Sequence, residues 1–337
     1  MLESSDQVNP DTLRSIAFAG TYTGLAARLR QIDFDWTTDG VYAEGTFCYL
    51  SFRDGQPTQN EFVDFIYGRI IDFCLPREKV RRAREAVARG DTKPMVDLTD
   101  EARSLFIHAK KKNPRSGEPG ELVLFTLLEG IVKAPRLVAK MRLKTNANME
   151  VHGSDAIHIK YDAASETLTL YWGEAKLYGE LPAALDQIAT SIKGFREYNP
   201  HTNGVQREFD IHLVQSHPDL DGSEAPATRN ALIAYFDPYT EYSNQIKEVH
   251  ACLAIWDWEF YATLNSLEPD QAEKAFKEKY REQIKSACSL FIHKIKSQGL
   301  DKFRFHFFLI PIVDVKEFRK RFCEKVGLPF NADSEEV

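Results

Sequence analysis

An α/β fold built on a mixed sheet is what this 337-residue sequence predicts, from three observations. Short runs of alternating apolar and polar residues recur along the chain and read as strands. Stretches with apolar residues three and four positions apart lie between them and read as helices. One strand-like run, TLTLYWGEAKLYGE from Thr167, keeps its apolar alternation through Leu168, Leu170 and Trp172. It then places Glu174 and Lys176 on the same face.

The first part of the chain, residues 1–112, mixes a strand at GTFCYLSF (Gly45–Phe52) with helices at QNEFVDFIYGRIIDF (Gln59–Phe73) and REKVRRAREAVARG (Arg77–Gly90). The Pro-, Gly- and charge-rich KKNPRSGEPG (Lys111–Gly120) reads as a linker. The chain therefore divides into an α+β region at 1–112, a candidate partner- or DNA-contacting part, and a second region at 113–330.

In the second region a helix from about Pro119 to Val132 starts with proline in its first turn. A strand is expected near Lys140–Lys144, then a hairpin of Asp155–Tyr161 and Thr167–Leu177. A helix over Pro182–Glu197 and a strand at FDIHLVQS (Phe209–Ser216) follow. The remainder predicts a helix near Ala227–Phe236, a strand near Val249–Trp258 and a long amphipathic helix over Pro269–Lys296. A strand at FRFHFFLIPI, a helix near Val315–Lys325 and a frayed tail, NADSEEV, complete the reading.

Composition narrows the function classes. A net charge of −7 excludes a globally basic nucleic-acid coat, although REKVRRAREAVARG and HAKKKNPR are locally basic. Such stretches are either phosphate-facing or solvated helix faces. The longest apolar run, FFLIPIV, is far short of the ~20 residues a membrane span needs, so no membrane association is expected. Five scattered cysteines without a CxxC fit a reducing compartment. The opening MLESSDQVNP has neither the basic nor the apolar part of a signal peptide. A cytoplasmic location is the expectation.

The hairpin carries the chemistry. Pairing Asp162 with Thr167 sets Tyr161 opposite Leu168, Ile159 opposite Leu170 and Ile157 opposite Trp172, an all-apolar face. A one-residue slip would turn one strand's apolar set toward the other's polar set, which fixes the parity. The next pair on that face is Asp155 with Glu174. Directly opposed side chains have Cβ atoms about 4.5–5.5 Å apart, so two carboxylates are forced together and something must offset their repulsion. A divalent cation with a preference for carboxylate oxygen does so, and Lys176 is one step further along the same face. Glu121 heads an apolar face of the preceding helix in PGELVLFTLLEG, and Gln187 is a polar residue on the following one.

The order helix-Glu, strand, strand-Asp, strand with Glu-x-Lys, helix, strand resembles the PD-(D/E)xK nuclease superfamily over roughly Pro119–Ser216. GELVLFTLLEGI, HGSDAIHIKYD, YWGEAKLYG and LDQIATSIKGF further resemble the HamA family of the Hachiman anti-phage system. The resemblance implies a restriction-endonuclease-like core with N- and C-terminal additions. It implies that Asp155 and Glu174 bind Mg²⁺ or Mn²⁺ with the Ala175 carbonyl. Lys176 would orient or activate water, and Glu121 would assist at the metal or through a water. It also implies a DNA substrate and a helicase-like ATPase partner, HamB, in a heterodimer. The chain contains no GxxxxGK[ST] phosphate loop, so any ATP-driven remodelling falls to that partner. A catalytically silent binding module and a site-specific restriction endonuclease are the competing expectations.

Overall fold

The computed structural model describes residues 8–112, 117–141, 153–221 and 225–329. Ten strands form among them: β1 (Leu29–Ile32), β2 (Tyr42–Leu50), β3 (Phe52–Arg53), β4 (Gln56–Pro57), β5 (Ala156–Asp162), β6 (Thr167–Tyr178), β7 (Tyr198–Asn199), β8 (Gly204–Val205), β9 (Ile246–Asp257) and β10 (Arg304–Ile312). Six of them make one mixed sheet in the order β1-β2-β10-β9-β6-β5. The four inner strands run parallel, and β1 and β5 close the edges antiparallel. The fold is thus mixed α/β.

Sequence explains this layering. Ala251–Ile255 and Phe307–Ile310 are continuous apolar runs and are fully buried, as parallel strands covered on both faces require. The Pro269–Ser297 helix covers part of the sheet with Phe276, Tyr280, Ile284 and Phe291. Tyr280 donates its hydroxyl to the carbonyls of Cys48 and Leu309, both at 2.9 Å. That one side chain ties β2 and β10 beneath the helix. β1 and β2 come from residues before 112 and join the same sheet as the hairpin.

Several expectations meet the structure differently. Gln59–Phe73 is two helices, Gln59–Tyr67 and Ile70–Cys74, with Gly68 capping the first. Phe209–Ser216 is not a strand but part of the Gln206–Ser216 helix. Its alternating Phe209, Ile211 and Leu213 mimic a strand, yet its buried residues are Asp210, Leu213 and Val214, at helical spacing. Of the strand expected at Lys140–Lys144, Lys140 and Met141 are helical and the rest lies outside the described residues. The NADSEEV tail lies outside them too. The second face of the hairpin is polar only at its Lys160–Thr169 end: His158, Tyr171 and Ala175 are buried, because the Glu118–Leu127 helix packs on that side. A Cβ on Gly120 would meet Leu177 and Ala175, and one on Gly173 would meet Leu124.

The basic Arg77–Ala88 helix is matched by acids. Arg77 pairs with Asp219 and Glu129, Lys79 with Glu101, Arg81 with Asp221 and Glu85, Arg82 with Glu78, and Arg84 with Asp72. These partners take up the charge that a phosphate would otherwise meet.

Candidate functional site

The hairpin pairs in the register its alternation predicts: Tyr161 with Leu168, Ile159 with Leu170, Ile157 with Trp172. The ladder ends at Ala156 with Gly173. One residue further, the Asp155 N–H donates to the Gly173 carbonyl at 2.7 Å. The Asp155 carboxylate then takes over from the ladder, its Oδ2 accepting the Ala175 N–H at 2.9 Å. A strand residue turns its N–H and C=O to the same edge, so the Ala175 carbonyl also faces the Asp155 side.

Trp172, Glu174 and Lys176 project from β6 toward the Leu181–Arg196 helix. With Asp155 they line a cavity of about 400 Å³, closed further by Ser154, Ser191, Phe195, Asn199, Gln206 and His250. Lys176 Nζ lies 2.6 Å from Glu174 Oε1, both side chains largely buried. Burial and the neighbouring Asp155 charge push Glu174 up to about 7, although Lys176 and a Ser191 hydrogen bond pull the other way. Burial would lower Lys176, but Glu174 and Asp155 outweigh it and raise it. The ammonium therefore stays charged at neutral pH while Glu174 sits near its midpoint.

The far end of the cavity is built on a separate charge cluster. Arg207 and Arg196 both pair with Glu248, and the Trp172 indole donates to it at 2.8 Å. Burial alone would raise Glu248, but the two guanidinium groups outweigh it and bring it down to about 2. Arg196 Nε donates to His250 Nε2 at 2.9 Å. Burial and the Arg196 charge push His250 down to about 3, so its ring is neutral.

Three of the residues singled out from sequence thus converge: Asp155, Glu174 and Lys176. Glu121 is buried but does not line this cavity; its helix packs on the opposite, Ala175–Leu177 face of β6. Gln187 is exposed, and Ser191, one turn on, takes the inward position. Sequence reasoning passed over Ser191, Asn199, Gln206 and His250. Of these only His250 carried a signal, as a polar interruption of the apolar run in β9.

Two carboxylates and a main-chain carbonyl form a donor set suited to a hard, oxygen-seeking divalent cation. Among the described residues no group of three or more His, Cys, Asp or Glu comes together to hold a metal. An ion held by Asp155 and Glu174 would therefore complete its shell with water, as Mg²⁺ does.

No helix among the described residues is long and apolar enough to cross a membrane. Comparison with curated proteins gives no match. Comparison with protein-family models matches residues 30–326 to HamA, nearly the whole chain, hairpin and cavity included. The chain belongs to the HamA family.

Proposed function

We propose that this chain is a Mg²⁺- or Mn²⁺-dependent deoxyribonuclease, acting in the cytoplasm as the effector subunit of a complex with a helicase-like ATPase, HamB. Family membership supports a role in Hachiman anti-phage defence. The observation that carries the nuclease reading is a charge imbalance. Two carboxylates, Asp155 and Glu174, share a largely buried cavity with one ammonium, Lys176. Among the described residues no second cation joins them, and burial with the Asp155 charge pushes Glu174 up to about 7.

Asp155, Glu174 and the Ala175 carbonyl would hold the cation. When bound, it supplies Lewis acidity toward a phosphodiester and makes water a stronger nucleophile at neutral pH. Lys176 stays protonated beside Glu174, so it acts as a positive charge toward a phosphate oxygen and orients water rather than removing its proton. Ser191 hydrogen-bonds Glu174 and restrains its carboxylate. Glu121, outside the cavity lining, is assigned no ligand position. The net charge of −7 and the acid-paired Arg77–Ala88 helix disfavour tight DNA binding by the chain alone. Presentation of DNA then falls to the partner.

The test is plasmid degradation by the complex with Mg²⁺ and ATP, with Glu174→Ala and Lys176→Ala as controls. Degradation by wild type and none by either variant is the expected result. Intact plasmid under activating conditions would leave a silent binding module. Tight, salt-resistant DNA retention by the isolated chain would sink the division of labour.

A further inference from the structure

Just ahead of Asp155 the chain is tied down by a buried ion pair that the hydrolytic reading leaves unused. Asp210 is 1% exposed and Lys140 and Ser154 are each 5% exposed. Asp210 Oδ2 accepts the Ser154 N–H at 3.1 Å, the Ser154 hydroxyl at 2.6 Å and Lys140 Nζ at 3.2 Å. Lys140 also donates to the Ser154 carbonyl. Every polar group of Ser154 is therefore engaged, by side chains 14 and 56 positions away in sequence.

Gly153 completes the arrangement. Its φ is +128°, a left-handed value that favours glycine, and a Cβ there would lie 2.5 Å from Asp210 Oδ1. The turn thus approaches the carboxylate more closely than any other residue allows. On the other side of Asp155, its own N–H is bound to the Gly173 carbonyl and β5 begins at Ala156. The backbone of residue 155 is held between a sheet ladder and this clamp.

A buried ion pair is a weak source of stability, since well-packed apolar residues do as well or better. Its value here lies in its position. Resting on the reading of Asp155 and Glu174 as cation ligands, we propose that Asp210, charge-balanced by Lys140, is a positioning residue. It grips Ser154 so that the adjacent Asp155 carboxylate is presented to the cavity beside Glu174. Outer partners that orient a metal ligand typically change metal affinity by about 10- to 100-fold when removed.

The experiment is Mn²⁺ titration of the full chain followed by electron paramagnetic resonance, with thermal melting of each sample. Wild type, Asp155→Asn, Asp210→Asn and Ser154→Ala are compared. Asp155→Asn should lose measurable binding, and Asp210→Asn should weaken it by about 10- to 100-fold. Ser154→Ala, which removes one hydrogen bond and keeps the fold, should weaken it roughly three- to tenfold. A purely structural pair would lower the melting temperature and leave Mn²⁺ affinity unchanged, and that result overturns the proposal. Should Asp210→Asn not fold, Ser154→Ala decides by the same criterion. Mn²⁺ binding equal in wild type and Asp155→Asn would instead remove the cation reading itself, and the positioning role with it.

Discussion

Two buried charge clusters in this molecule are built to opposite ends. One joins Arg77, Arg136, Glu129 and Asp219, each no more than 7% exposed. Its two cations meet two anions, and most of the remaining donors, Arg77 Nε excepted, find carbonyls: Arg136 alone bonds those of Asp72, Phe73 and Leu75. Burial would raise Asp219, but Arg136 and Arg77 outweigh it and hold it below the usual carboxylate range. In the other cluster Asp155 and Glu174 share one cation among the described residues, Lys176, and burial with the Asp155 charge pushes Glu174 up to about 7. A buried cluster that is balanced and bonded holds the chain together. In the function proposed above, the other cluster, with one ammonium for two carboxylates among the described residues, takes its further positive charge from a bound cation.

Breaking the balanced cluster should have the largest effect. Arg136→Met leaves Asp219 partly unpaired and three carbonyls without a donor, so about 3–5 kcal/mol of stability should be lost, measured by urea unfolding. If Arg136→Met melted like wild type, the contrast between the clusters would fail. Next is Lys176→Ala. DNA degradation should fall by about 10²–10³-fold, in line with loss of one group that stabilises transition-state charge. Its urea midpoint should fall as well, because two largely buried carboxylates lose their ammonium, but by less than for Arg136→Met.

The third prediction uses pH to separate the clusters. A carboxyl whose folded pKa is raised disfavours the fold once it must ionise. Glu174 therefore contributes least penalty below about pH 4.5 and most above about pH 7. Without divalent cation, Glu174→Gln should match wild type at pH 4. By pH 8 it should be the more stable by on the order of 1–3 kcal/mol, while inactive as a nuclease. Mg²⁺ should narrow that gap by stabilising wild type alone, and EDTA should restore it. Asp219 has the opposite sign: its contribution is present above the unfolded pKa and is lost as pH falls through its lowered folded value. The smallest effect is expected from Glu121→Gln, whose Mn²⁺ affinity should stay within roughly twofold of wild type, about 0.4 kcal/mol. A tenfold loss would return Glu121 to the metal.

Some of this was legible residue by residue. The register of β5 and β6 followed from alternation alone, and with it the convergence of Asp155, Glu174 and Lys176. What a short window of sequence left undecided has a common cause. Phe209–Ser216 alternates like a strand but buries Asp210, because Lys140 and Ser154 await that carboxylate across the fold. For the basic helix the sequence left phosphate-facing and solvated readings open, because partners such as Glu129, Asp219 and Asp221 lie far away in sequence. Glu121 began an apolar stripe, yet which face of the sheet that stripe covers was decided by Gly120 and Gly173 making room for it.

What the sequence determined by itself is the mixed α/β class, the hairpin register and the placing of an acid pair and a lysine on one face. These rest on periods of two and of three to four residues, which any short window displays. What only the tertiary structure decided is which charges are matched. Pairing across dozens or hundreds of positions depends on how the layers stack, and it separates Arg77 and Asp219, locked together, from Asp155 and Glu174, which among the described residues share one ammonium.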